Sequence, residues 1–98
     1  MSMDVSLKPS TSVRDITLTL NGSPQQLVGS NLYRTHLQFQ APAGGAVTYS
    51  YTNASCAAGL TGCYTLAAGS TWAPSWGCPS GPIYVNGTNA QVLVATEC

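Results

Sequence analysis

Asp15–Gly22 reads DITLTLNG. Ile16, Leu18 and Leu20 alternate with Thr17 and Thr19. That period of two puts an apolar and a polar face on one half-buried strand. The Asn21-Gly22 pair that ends it is a strong turn signal, because both residues tolerate positive φ. Working outward, the pattern recurs. Pro24 and Gly29 bound a short strand at Gln25–Val28. In YRTHLQFQAP, Tyr33, Leu37 and Phe39 fall on one face, and Arg34, His36, Gln38 and Gln40 on the other. Pro42 and Gly44-Gly45 end that strand. AVTYSYTN sets Val47, Tyr49 and Tyr51 against Thr48, Ser50 and Thr52, and CYTLAAGS gives a strand through Tyr64 and Leu66 that Gly69 turns. PIYVNG and AQVLVATE read as a final hairpin, with Asn86-Gly87 as its turn.

No helical period and no internal repeat appears. Short strands at a spacing of roughly ten residues, with turn signals between them, indicate a sandwich or barrel. The expected fold is all-β: a single small antiparallel β-sandwich, jelly-roll or Ig-like, over residues 15–98. Residues 1–14 read as an extended N-terminal arm, broken by Pro9 and carrying Val5 and Leu7 as isolated apolar points.

A chain of 98 residues makes one domain with one core. Its hydrophobic content of 44% suits a globular fold. Its charge does not match an ordinary domain: 6% of residues are charged, against about 25% elsewhere. Asp4, Lys8, Arg14, Asp15, Arg34 and Glu97 cancel to a net charge of zero, and no charge occurs from Gln38 to Thr96. Nucleic-acid binding needs Lys and Arg facing phosphates, and an anionic membrane surface needs the same, so neither partner is expected. A surface this neutral favours association. No stretch approaches the roughly 20 apolar residues of a membrane span. MSMDVSLKPS has no apolar h-region, so synthesis in the cytoplasm is expected.

Cys56, Cys63, Cys78 and Cys98 form no C-x-x-C pair, which gives a zinc site little support. They allow three pairings, and free thiols are the alternative. Cys56 and Cys63 bracket AAGLTG and can close that short loop. Three N-x-[ST] sequons occur, at Asn21, Asn53 and Asn86. Without a secretory signal they carry little weight as glycan acceptors.

Catalysis has no visible basis. Asp4, Asp15 and Glu97 all lie near the termini, whereas a glycosidase needs two carboxylates across a cleft. No G-x-S-x-G elbow is present, and His36 has no supporting motif beside the cysteines. No enzyme, cofactor or metal site is therefore expected.

The arrangement R-x-x-L-x-F-Q at Arg34, Leu37, Phe39 and Gln40 is followed by a glycine-bearing hairpin region. An L-x-x-G turn comes next, at Leu66 and Gly69. P-x-G-x-I-Y follows, at Pro79, Gly81, Ile83 and Tyr84, and the last strand carries Val92, Val94 and Glu97. Over residues 33–98 this order resembles the small β-sandwich virion proteins of tailed bacteriophages. That group includes capsid decoration (cement) proteins and the base proteins of head or tail spikes. The resemblance implies a structural protein on the outside of the phage head. It would clamp neighbouring major capsid subunits, use a terminal arm as a clasp, and associate with itself, with a trimer as the implied oligomer. The four cysteines and the double-Trp loop depart from the pattern and leave the virion role open.

The alternatives are a low-copy head-spike or tail-fibre base, and a carbohydrate-binding module that stacks sugars on Trp72, Trp76 and the tyrosines. The expected partner contacts are Val5, Leu7, Arg34, Trp72 and Trp76. Trp72 and Trp76 stand four apart in the uncharged segment LAAGSTWAPSWGCPSGPIYVNG, Leu66–Gly87. They either cap the core or anchor a subunit contact. Arg34 is either solvated, paired with Glu97 or a carbonyl, or in contact with a neighbour.

Overall fold

The computed structural model describes residues 13–74 and 78–98. Eight strands follow in order: β1 (Arg14–Thr19), β2 (Gln25–Val28), β3 (Leu37–Gln40), β4 (Val47–Ser50), β5 (Cys63–Leu66), β6 (Thr71–Trp72), β7 (Ile83–Gly87) and β8 (Val92–Glu97). They form two four-stranded sheets, β1-β8-β3-β6 and β2-β7-β4-β5, and every pairing is antiparallel.

The ladders show how the chain gets there. β1 pairs β8, β2 pairs β7, β3 pairs β6 and β4 pairs β5. The first four strands therefore run back along the last four like one long hairpin, which then rolls up so that β8 also meets β3 and β7 also meets β4. That topology is the jelly roll, one of the two sandwich types the sequence allowed.

The alternation seen in DITLTLNG explains the packing. Ile16 and Leu18 lie against the core while Asp15, Thr17 and Thr19 face outward. Leu37 and Phe39 of β3, Leu93 and Ala95 of β8, and Ile83 and Val85 of β7 are buried on the facing sides of the two sheets. Leu20, Leu27, Val28 and Val47 complete the centre. Burying each large aliphatic side chain contributes about 1.5–3 kcal/mol.

Four local expectations change. β1 begins at Arg14, inside the stretch assigned to the arm. Residues 33–36 lie outside β3; the Arg34 amide closes a turn on the Asn31 carbonyl, which reverses the expected faces, so Tyr33 is exposed and Arg34 buried. β7 and β8 are not a hairpin, because they lie in different sheets. Asn86-Gly87 is not the turn either. Both residues belong to β7, and the chain bends afterwards, where Ala90 takes φ 72°. Gly87 meets a packing demand instead. A Cβ there would stand 2.6 Å from Leu20 Cδ1 and 3.3 Å from Val47 Cγ2.

Candidate functional site

The outer face of the β1-β8-β3-β6 sheet is a regular surface, and its chemistry follows from the register. Thr19 stands opposite Val92, Thr17 opposite Val94, and Asp15 opposite Thr96. Across β8, Val94 faces Gln40 and Thr96 faces Gln38. Thr71 of β6 sits beside Gln40. Val94 lies at the middle of this grid and Val92 at its end, 47% and 46% exposed. A shallow groove of about 250 Å³ runs along it, lined among others by Thr17, Gln38, Gln40, Thr71, Val94 and Thr96. The Asp15 carboxylate accepts a hydrogen bond from the Thr96 hydroxyl at 3.3 Å.

Arg34 and Glu97 withdraw their charges from the surface in one cluster. Arg34 is buried, and its guanidinium has no exposed surface. Nε donates to the Glu97 carboxylate at 2.6 Å. Nη1 donates to the carbonyls of Pro79 at 2.6 Å and Gly81 at 3.1 Å, and Nη2 donates to the Gly29 carbonyl at 2.6 Å. Arg14 reaches the other oxygen of Glu97 at 3.1 Å. Among the described residues, Asp15 is the one charged side chain outside this cluster. Arg34 thus fastens the loop after β2, the loop before β7 and the end of β8 to its own turn. The pairing of Arg34 with Glu97 and with carbonyls is the structural alternative the sequence offered for it.

Trp72 is 7% exposed. Its indole stacks on Phe39 at a centroid distance of 4.9 Å, and Nε1 donates to the Tyr51 hydroxyl at 3.1 Å. Tyr49 meets Phe39 edge-to-face at 5.6 Å. Trp72 therefore closes the core between β6 of one sheet and β4 of the other, and offers a partner little surface. Tyr64, on the edge strand β5, is the half-exposed end of this aromatic cluster. Trp76, Val5 and Leu7 lie outside the described residues.

Sequence reasoning passed over the residues that stand out most. Leu32 and Tyr33 project from the Arg34 turn at 82% and 66% exposure. They sit on a fixed base, since Arg34 beside them is buried and the Tyr33 amide is held by the Asn31 side chain. Val92 and Val94 were legible only as strand residues. AQVLVATE is apolar at successive positions, so alternation alone does not say whether Val92 and Val94 or Leu93 and Ala95 turn inward.

Among the described residues no group of three or more His, Cys, Asp or Glu side chains is placed to hold a metal ion. Among the same residues no helix is long and apolar enough to cross a membrane. Comparison with protein-family models, with curated proteins and with solved structures returned no match.

Proposed function

We propose that this chain is a non-enzymatic structural virion protein, a decoration protein that binds the outside of a phage head and bridges neighbouring copies of the major capsid protein. The observation that carries the reading is the sheet face centred on Val94, extended by Val92, framed by Thr and Gln side chains and bearing Asp15 as its charge. Interface centres are depleted in charge and combine apolar contact with neutral hydrogen-bonding groups. Leu32 and Tyr33, held out on a rigid turn, add an anchor of the type found at interface hot spots. The fold agrees by analogy alone, since jelly rolls serve as capsid and lectin domains among others.

A copy that bridges two capsid subunits makes its second contact within one complex, so each contact needs only modest affinity. Burial of Trp72 takes its ring away from any sugar-stacking platform, which weakens the carbohydrate-binding alternative. The low-copy spike or fibre base shares the same surface chemistry, and stoichiometry separates the two. Quantitative mass spectrometry of purified particles should find the protein at hundreds of copies per particle. A dozen or fewer would move it to a vertex or the tail, and absence from particles would reject a virion role.

A further inference from the structure

We infer that Cys56 and Cys63 join as an intramolecular disulfide under oxidising conditions and lock the 57–62 loop onto the outer face of the β2-β7-β4-β5 sheet. This stands independently of the virion reading.

The placement comes from the ladder. Cys63 is directly opposite Ser50 in the β4–β5 pair. Opposed residues of an antiparallel pair carry their side chains on the same face, with Cβ atoms about 4.5–5.5 Å apart. That face is the outer one, because Val47 and Tyr49 point into the core on the other. Ser50 nevertheless has no exposed surface. The chain after β4 folds back over it: the Ser50 hydroxyl accepts from the amides of Thr52 at 3.2 Å and Asn53 at 2.9 Å. Cys56 is fully buried under this fold-back. Its sulfur lies 3.3 Å from the Thr48 carbonyl, and its own carbonyl accepts from Asn86 Nδ2 at 2.9 Å. Thr48 and Asn86 are outer-face neighbours of Ser50 in the same sheet. Both cysteines therefore converge on one spot of the sheet from the two ends of a six-residue loop, and both are free thiols here. Asn53 Nδ2 also holds the Thr61 carbonyl, so the two ends of the loop are already clasped.

The two thiols differ. Cys63 is partly exposed. Burial, and then the neighbouring Cys63 thiol, push Cys56 up to about 11. Cys63 is thus the sulfur that meets a small-molecule disulfide such as oxidised glutathione. Its thiolate attacks one glutathione sulfur, forms a mixed disulfide and expels a glutathione thiolate. Cys56 then gives up its proton and attacks the Cys63 sulfur. The protein S–S bond forms, the second glutathione thiolate leaves, and the two protein thiols have passed two electrons to glutathione disulfide.

The folded protein is incubated with oxidised glutathione, quenched by alkylation under denaturing conditions and mapped by proteolysis and mass spectrometry. The expected product is a crosslink joining Cys56 to Cys63. Cys56→Ser should stop at a stable glutathione adduct on Cys63. Cys63→Ser should leave Cys56 as a free thiol in the folded protein. A wild-type protein in which Cys56 remains alkylatable, or is joined to Cys78 or Cys98, would overturn the inference.

Discussion

Arg34 shows how much one side chain can decide. Its guanidinium ties three carbonyls and a carboxylate from three separate segments to one point. A planar fork that donates in several directions does this, and a Lys ammonium on a flexible stem does not. Truncation would leave Glu97 buried with only the exposed Arg14 as counter-ion, and would cost three carbonyls their hydrogen bond from the guanidinium. Arg34→Ala should therefore destabilise the domain by about 3–5 kcal/mol, as for other broken buried pairs, read as a lower urea midpoint. Arg34→Lys should recover only part of the loss. A midpoint unchanged by Arg34→Ala would mean the cluster contributes little. The identity of the partners was open to sequence reasoning, since few charges exist to choose from. The burial was not, because a period of two extended from Leu37 back to Tyr33 places Arg34 on the solvent side, and only the turn on Asn31 reverses it.

At the scale of elements, the strands announced themselves wherever Thr or Ser alternates with a large apolar residue, as in β1 and β4. Gln25–Val28 is β2 with the bounds its Pro24 and Gly29 suggest. What the residues did not announce is which strand pairs with which. Asn86-Gly87 carries strong hairpin chemistry, yet β7 and β8 pair with different partners in different sheets. The glycine answers a steric demand instead. Gly87 stands where Leu20, from the β1–β2 connection, presses against β7, and a glycine is what that crossing admits. Gly87→Ala should overpack the Leu20–Val47 contact and cost about 1–3 kcal/mol, visible as a fall in the thermal midpoint. An unchanged midpoint would mean that Leu20 moves aside freely. The proposed contact face was equally hidden. Val92 and Val94 became exposed residues only once the β1–β8 register set them opposite Thr19 and Thr17, on the outward face of β1.

For the whole molecule, the near absence of charge is the property that organises the rest. Arg34 and Arg14 share the Glu97 carboxylate at one end of the sandwich, and the broad face of the first sheet is left to Thr, Gln and Val with Asp15 as its charge. Little charge is left to solvate that face, and few charges need desolvating when a partner covers it. A new charge at its centre would need desolvating. It would change folding by no more than about 0.5 kcal/mol, because an exposed site away from the core tolerates substitution. Val94→Lys therefore separates contact from stability. The most direct test is co-sedimentation of the purified wild-type and Val94→Lys proteins with particles from which the protein has been stripped. The wild type should pellet with the particles, and the Val94→Lys protein should stay in the supernatant with an unchanged melting temperature. Equal pelleting of the two would contradict the assignment of this face as the docking surface.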